Sequence, residues 1–149
     1  MIYKSYIGID PGNTGGICVI TDDHAEAYKT PGTVADMSDL INTITIDHDK
    51  PVAIIEAVHS MPGNSARSMF TFGSNYGMWL GLLAAYNIPY TQVTPAKWIR
   101  SYGSMPKAKT QRKNHLKHLA QQRYPDLKVT LATADAILIA NYCKDLHSK

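Results

Sequence analysis

The first apolar run of the chain ends in a single carboxylate, and this arrangement constrains the fold more than any other local feature. Residues 3–10 read YKSYIGID and are predicted to form a strand that ends at Asp10. The turn Pro11-Gly12-Asn13 follows, and a second strand over Gly16 to Ile20 completes a hairpin. A charged side chain at the end of a buried strand costs free energy unless an opposite charge or a hydrogen-bond donor pairs with it. Asp10 therefore either faces a cation or is an ordinary turn residue.

The rest of the chain alternates strands and helices. A third strand is predicted over His24 to Lys29, a buried strand (VAIIE) that Pro51 starts and Glu56 ends, and a short strand over Pro89 to Val93. Helices are predicted from the N-cap Thr33 to about Ile46, from Ser65 to about Tyr86, from Pro95 to Ile99, from Lys109 to Tyr124 and from Leu131 to Tyr142. Three hairpin-joined strands followed by alternating helices and strands indicate an α/β fold with a mixed sheet, in one domain over residues 1–149.

Several classes of protein are disfavoured by what the sequence lacks. It has no apolar run near the roughly 20 residues that span a bilayer, and its first residues do not resemble a signal peptide. Two cysteines are too few for a disulfide scaffold, so we expect buried thiols and a cytoplasmic protein. The loop DPGNTGG lacks the ending of a P-loop and the G-x-G-x-x-G pattern, and no zinc-ligand spacing is present. We therefore expect no membrane association and no small-molecule cofactor.

Charge is distributed very unevenly along the chain. Residues 1–56 hold nine acidic and three basic residues, whereas residues 57–125 hold nine basic residues and no acidic one. A surface built from the second segment would attract a polyanion. Solvated Lys and Arg on helix faces are the simpler explanation, but the complete lack of acidic residues favours nucleic acid as the partner.

Three carboxylates lie where the predicted fold can bring them together. Asp10 and Glu56 each close an apolar strand, and Asp135 lies in the apolar helical sequence LATADAILIA. Taken singly, each has an ordinary explanation as a turn residue, a strand end or a helix acid. Together they can hold Mg²⁺, which prefers oxygen ligands and keeps waters that phosphate can replace. Two such ions about 3.5–4 Å apart support phosphodiester hydrolysis, so we predict Asp10, Glu56 and Asp135 as metal ligands and catalytic residues. Thr14 is predicted to donate a hydrogen bond to a phosphate.

Three segments of the sequence resemble one known family. IGIDPGNTGG, IIEAVHSMPGNSARSMFTFGSNYG and TADAILIANY are similar, in this order, to the RuvC family of Holliday-junction resolvases, in the branch found in bacteriophages and prophages. The resemblance covers nearly the whole chain. It implies an RNase H-like mixed five-stranded sheet flanked by helices, Mg²⁺ or Mn²⁺ as cofactor, and a homodimer that makes paired nicks in four-way DNA junctions. For a phage-encoded protein, the location would be the cytoplasm of the bacterial host.

The resemblance also implies roles for individual residues. By position, Asp10, Glu56 and Asp135 match the acidic metal ligands of the family. His59 falls where cellular members carry an aromatic residue that wedges into the junction, and the basic DNA-contacting segment corresponds to Lys107, Lys109, Arg112 and Lys113. The family commonly has a further Asp or His three or four residues before the last acid, where this chain has Ala132 and Leu131. The site then works with three carboxylates, with Thr130 or Thr133 positioning water, or the chain binds junctions without cutting them. A related nuclease for flaps or other branched DNA is a further alternative.

The longest predicted helix carries the candidate dimer interface. Gly73, Gly77 and Gly81 recur every four residues, a spacing that lets another backbone approach closely. The neighbouring large apolar residues are Met69, Phe70, Met78 and Trp79. The same residues also fit a core helix packed on the sheet. A C₂ dimer would present two identical sites to a junction, which itself has approximate two-fold symmetry.

Overall fold

The computed structural model describes residues 2–58 and 62–148. Within them, the strands are β1 Ser5–Asp10, β2 Gly16–Ile20, β3 Ala25–Lys29, β4 Pro51–Glu56 and β5 Tyr90–Val93. The helices are α1 Val34–Asp47, α2 Ala66–Ala85, α3 Pro95–Arg100, α4 Lys109–Arg123 and α5 Ala134–His147. None of the helices in this part of the chain combines the length and the apolar character needed to cross a membrane.

The strands form one mixed sheet in the order β3-β2-β1-β4-β5, which confirms the predicted fold class. β1, β2 and β3 are joined as antiparallel hairpins, whereas β4 runs parallel to β1 and β5 runs parallel to β4. Ile9 pairs with Ile55 across β1 and β4. The two strands therefore deliver the residues that follow, Asp10 and Glu56, to the same edge of the sheet.

Both faces of the sheet are covered by helices, which is why the central strands are buried throughout. On one face, Ile7 and Ile9 pack with residues of α1 and α2, including Met37, Trp79 and Leu83. On the other face, alternate residues of the same strands pack with α3, α4 and α5; these are Tyr6, Cys18, Ile20, Val52 and Ile54. The period-two alternation therefore assigns each strand residue to one of two separate cores.

α5 lies unusually close to β1 because β1 carries Gly8 at the point of contact. A Cβ added to Gly8 would lie 2.2 Å from the amide nitrogen of Ala140 and 2.4 Å from the carbonyl oxygen of Ala136. The helix side of the contact is also made of small residues, since Ala136 and Ala140 are fully buried. This contact fixes the height of α5 above the centre of the sheet.

The bounds of α5 differ from those predicted. Residues 131–133 form a turn, and the helix begins at Ala134 and continues to His147. The Thr133 hydroxyl accepts a hydrogen bond from the Thr130 amide at 3.1 Å, which stabilises the turn before the helix. The last residues of α5, after Cys143, are mostly polar. The apolar periodicity that predicts the helix therefore does not predict where it ends.

We predict that Gly8→Ala destabilises the fold by about 3 kcal/mol, the upper end of over-packing costs, because the new methyl group meets helix backbone that cannot move aside. Gly32→Ala is the control, since a Cβ there meets nothing within 4 Å; its effect should stay within about 0.5 kcal/mol. The measurement is the free energy of unfolding from denaturant titration. Equal effects of the two substitutions would contradict the close contact.

Candidate active site

The three predicted carboxylates come from elements that meet at one edge of the sheet. Alternation along β1 places Asp10 on the same face as Gly8, which contacts α5, and alternation along β4 places Glu56 on the same face as Ile54. Asp135 lies in the first turn of α5, the helix that packs against Gly8. Strand ends and helix start therefore bring Asp10, Glu56 and Asp135 into one region.

The pKa values show that these carboxylates interact in a buried environment. Burial, followed by the charges of Asp135 and Glu56, raises the pKa of Asp10 to about 8. Burial is also the main cause that raises the pKa of Glu56 to about 7; a hydrogen bond from Trp98 opposes the rise and the charge of Asp135 adds to it. Burial raises the pKa of Asp135 as well. At neutral pH the cluster therefore holds protons or requires a cation.

Two side chains outside the cluster stabilise its negative charge. The Lys113 ammonium, on α4, lowers the pKa of both Asp10 and Asp135 against the effect of burial. The Trp98 indole N–H, on α3, donates a hydrogen bond of 2.7 Å to Oε2 of Glu56. Sequence reasoning placed Lys113 in a DNA-contacting segment and did not identify Trp98 at all.

The donor chemistry of the cluster fits a divalent cation that prefers oxygen. Asp10, Glu56 and Asp135 supply carboxylate oxygens only, which suits Mg²⁺ or Mn²⁺. Among the described residues, no three His, Cys, Asp or Glu side chains are already arranged as a complete metal site. Mg²⁺ commonly retains several waters and binds one or two carboxylates, so a preformed three-ligand cage is not required. The residues therefore fit the predicted cofactor in chemistry, while the cluster is not closed around an ion.

The loop after Asp10 is shaped by contacts within the chain. Gly12 has φ +110°, and a Cβ on it would lie 2.6 Å from the Phe72 ring. Its amide donates a hydrogen bond of 2.7 Å to Oδ1 of Asn75, a buried residue of α2. A Cβ on Gly15 would lie 1.9 Å from the Asp10 carbonyl oxygen. These glycines are thus needed for the protein's own packing, and Asn75 anchors the loop that follows the first carboxylate.

The residues predicted to contact DNA have different surroundings. Thr14 is exposed in the loop between β1 and β2, and Lys107, Lys109 and Lys113 are also exposed. Arg112 is half-buried, and its Nη1 donates hydrogen bonds to the carbonyls of Lys107 at 3.1 Å and Pro106 at 3.5 Å. Arg112 therefore stabilises the loop before α4. His59 lies outside the described residues.

The face of α2 that was predicted to form a dimer interface is divided between surface and core. Gly73, Gly77 and Gly81 are exposed, and apart from their chain neighbours and the adjacent backbone of α2, no atom of the described residues lies within 4 Å of a Cβ added to them. Phe70 on the same helix is 77% exposed, whereas Trp79 is fully buried in the core with Leu83. Trp79 is therefore a core residue, and the glycines with Phe70 leave an apolar surface.

Ala132 lies in the turn before α5, so the prediction of a helix from Leu131, which would include Ala132, is wrong at this residue. Thr130 and Thr133 are the residues that could position water if the site works with three carboxylates. Their hydroxyl oxygens lie 3.2 Å apart, and the Thr133 hydroxyl also accepts from the Thr130 amide. The two threonines thus hydrogen-bond each other within the turn that leads into the helix.

We predict that Asp10→Asn stabilises the metal-free protein at high pH. The folded-state pKa of Asp10 is about 8 against an ordinary 3.8, so its favourable contribution is complete below pH 4 and is lost as the pH rises through 8. Since each pKa unit corresponds to about 1.4 kcal/mol, the variant should exceed the parent by a few kcal/mol at pH 9 in chelator, and the gap should shrink towards pH 4.

Thermal unfolding with a chelator, across this pH range, is the measurement. Asp126→Asn removes an exposed carboxylate outside the cluster and is the control. A variant Asp10→Asn that is less stable than the parent at every pH would contradict the mutual repulsion of the cluster. Added Mg²⁺ should reduce the advantage of the variant, because it binds the parent more strongly.

Comparison with known proteins gives one consistent result. No family model and no curated protein sequence matches the chain. Among solved structures, Thermus thermophilus RuvC in complex with a Holliday junction substrate aligns with a TM-score of 0.67 and 16% sequence identity, over 94% of this chain and 92% of that chain. Another Thermus thermophilus RuvC structure aligns with a TM-score of 0.61 and 17% identity, over 93% and 92%. The likeness shows that the chain has the RNase H-like fold of RuvC.

Proposed function

We propose that this chain is a metal-dependent endonuclease that binds four-way (Holliday) DNA junctions as a homodimer and resolves them by paired phosphodiester nicks. The observation that carries the proposal is the meeting of Asp10, Glu56 and Asp135 at one sheet edge, with Lys113 beside them. The RNase H-like fold and its likeness to a RuvC bound to a Holliday junction support it. We assign the chain, as one nuclease domain over residues 1–149, to the phage and prophage branch of RuvC-like resolvases, acting in the bacterial cytoplasm.

The chemistry assigns separate roles to the side chains of the cluster. Asp10, Glu56 and Asp135 would hold the divalent cations, Mg²⁺ or Mn²⁺, with two ions proposed per site. Bound ions of this kind lower the pKa of a coordinated water and stabilise the leaving oxygen. Lys113 neutralises part of the negative charge where a phosphodiester has to approach three carboxylates.

The DNA-binding surface extends from the carboxylates along α4. Lys109 and Lys113 are four residues apart on this helix and therefore lie on one face, and Lys107 precedes them in the loop. Arg112 holds that loop through its bonds to backbone carbonyls. Thr14 presents its hydroxyl from the loop that follows Asp10, and His59 is proposed to enter the junction.

Dimerisation uses the exposed face of α2. Gly73, Gly77 and Gly81 allow close approach of a second copy of the helix, and the exposed Phe70 and Met78 supply apolar surface to bury. A C₂ axis through this face gives each protomer one cluster and one basic surface, which matches the symmetry of the substrate.

A catalytically silent junction-binding protein is the second candidate. One observation favours it: Ala132 cannot bind metal. Both candidates share the DNA-binding surface and the dimer, so only a cleavage assay separates them.

We predict that the parent protein nicks a labelled four-way junction in the presence of Mg²⁺ much faster than it nicks linear duplex. Asp10→Asn should lower cleavage by roughly 10³-fold or more, because residues that act as a unit lose most of their effect together. Junction binding measured in chelator should not weaken, since the variant removes a negative charge. Junction binding by the parent without cleavage in Mg²⁺ or Mn²⁺ would establish the silent candidate, and equal cleavage of linear duplex would contradict junction specificity.

We predict that Lys109→Ala with Lys113→Ala weakens junction binding and lowers the salt dependence of the binding constant by roughly one unit of slope for each phosphate that the protein no longer binds. Lys4→Ala with Lys50→Ala removes the same charge from the opposite edge of the sheet, where β1 and β4 begin, and should leave the slope unchanged. The measurement is the binding constant over a salt titration in chelator. Equal slopes for the two double variants would show that α4 faces away from DNA.

A further inference from the structure

Glu56 is held by a neighbour that no sequence motif indicated. The Nε1–H of Trp98 donates to Oε2 of Glu56 at 2.7 Å, across 42 residues of sequence, and Trp98 is fully buried. We propose that Trp98 is a positioning residue that fixes the orientation of the Glu56 carboxylate by engaging Oε2 and leaves Oε1 free of that bond for a divalent cation. The proposal rests on the proposed function of the same site.

Backbone pairing fixes where the indole can lie. Glu56 pairs with Val93 in parallel register, and the Ala57 amide donates to the Val93 carbonyl at 2.7 Å. α3 starts two residues after Val93, with Thr94 as its N-cap. Trp98 is the fourth residue after that cap and so lies in the first turn of α3. Because β5 pairs with β4, this turn lies beside the end of β4. The position of Trp98 relative to Glu56 is therefore set by the sheet.

A second contact connects Trp98 to the helix that carries Asp135. The Trp98 and Tyr102 rings pack edge to face, with centroids 6.3 Å apart at 80°. The Tyr102 hydroxyl donates to the Leu138 carbonyl at 2.5 Å and accepts from Nδ2 of Asn141 at 3.2 Å. Leu138 lies one helical turn after Asp135 on α5. The Trp98–Tyr102 pair therefore links the elements that carry two of the three candidate ligands.

The cost of releasing the indole explains why Glu56 should remain held by one oxygen. Because Trp98 is fully buried, no water replaces the carboxylate if Glu56 turns both oxygens towards a cation. The N–H would then be a buried donor without a partner, which is unfavourable. The Trp98 bond is therefore expected to hold the Glu56 carboxylate in one orientation, in which Oε1 would be available to a cation that Asp10 and Asp135 also bind.

The chain contains a matched control for this role. It has two tryptophans, Trp79 and Trp98, and both are fully buried. Within the described residues, the Trp79 indole nitrogen has no hydrogen-bond partner. Phe at either position removes a similar volume from a core, but only Trp98→Phe removes a donor from Glu56.

The first experiment follows the two indole N–H signals of the ¹⁵N-labelled protein by NMR, assigned with Trp79→Phe and Trp98→Phe. Addition of Mg²⁺ should move the Trp98 signal together with the backbone amides of Asp10, Glu56 and Asp135, and should leave the Trp79 signal in place. This readout needs no cleavage. Each variant retains the indole signal of one tryptophan, so the signal that disappears belongs to the tryptophan that was replaced.

The second experiment compares the same variants for their response to Mg²⁺. Trp98→Phe should raise the Mg²⁺ concentration for half-maximal junction cleavage by roughly 10- to 100-fold, the usual loss when a group that orients a metal ligand is removed. It should also reduce the rise in Tm that Mg²⁺ produces. Trp79→Phe should lower Tm without Mg²⁺ but leave both metal responses unchanged.

The outcomes separate this inference from the proposed function. A Trp98 signal that stays in place while the amides of Asp10 and Asp135 shift with Mg²⁺ would overturn the role of Trp98 and leave the metal site intact. Unchanged metal responses of a folded Trp98→Phe would have the same meaning. If no amide near the three carboxylates responds to millimolar Mg²⁺ and no junction is cleaved, the proposed metal site is wrong. The proposed role of Trp98 would then be wrong as well. The NMR titration of the parent decides the matter even if Trp98→Phe does not fold.

Discussion

The contact between β1 and α5 at Gly8 is the constraint on which the candidate site depends. Any side chain at residue 8 would meet the backbone of α5 at Ala136 or Ala140, so the helix can lie at its observed height only above a glycine. β1 is the central strand of the sheet, and Asp10 is two residues beyond Gly8 on the same face. Asp135 immediately precedes Ala136 on the helix. One backbone contact therefore holds the strand that ends in Asp10 against the helix that carries Asp135.

Bringing these carboxylates together opposes the stability of the metal-free fold. Burial and mutual repulsion raise the pKa of Asp10 to about 8 and that of Glu56 to about 7, so ionisation of either near neutral pH is unfavourable. The neighbouring residues offset only part of this cost, through the charge of Lys113 and the indole N–H of Trp98. The two cores on either side of the sheet supply the stability that the site lacks, which is the usual relation between a functional site and its scaffold.

Much of the fold could be predicted because its signals are local. Thr33, Ser65 and Pro95 were recognisable as helix starts, and the side chains of Thr33, Ser65 and Thr94 accept hydrogen bonds from the backbone three residues on. The positions of Asp10 and Glu56 at the ends of apolar strands likewise predicted that they could meet at one edge, whereas their common face depends on the pairing of β1 with β4. The start of α5 was missed because the Thr130–Thr133 turn replaces the first helical turn. Asn75 and Trp98 were missed because their hydrogen-bond partners lie 63 and 42 residues away in the sequence. Neither an asparagine nor a tryptophan by itself indicates a long-range hydrogen bond of this kind.

The uneven distribution of charge along the sequence corresponds to different elements of the fold. The acidic first segment forms β1 to β4 and supplies two of the three clustered carboxylates, whereas the acid-free segment forms α2, α3 and α4. A cluster of carboxylates alone would repel a phosphate backbone. Lys113 already acts on Asp10 and Asp135, while Lys107 and Lys109 remain exposed and Arg112 holds the loop between them and α3. The basic segment therefore has three distinct tasks, and its exposed lysines, Lys113 included, should determine the salt dependence of the proposed DNA binding.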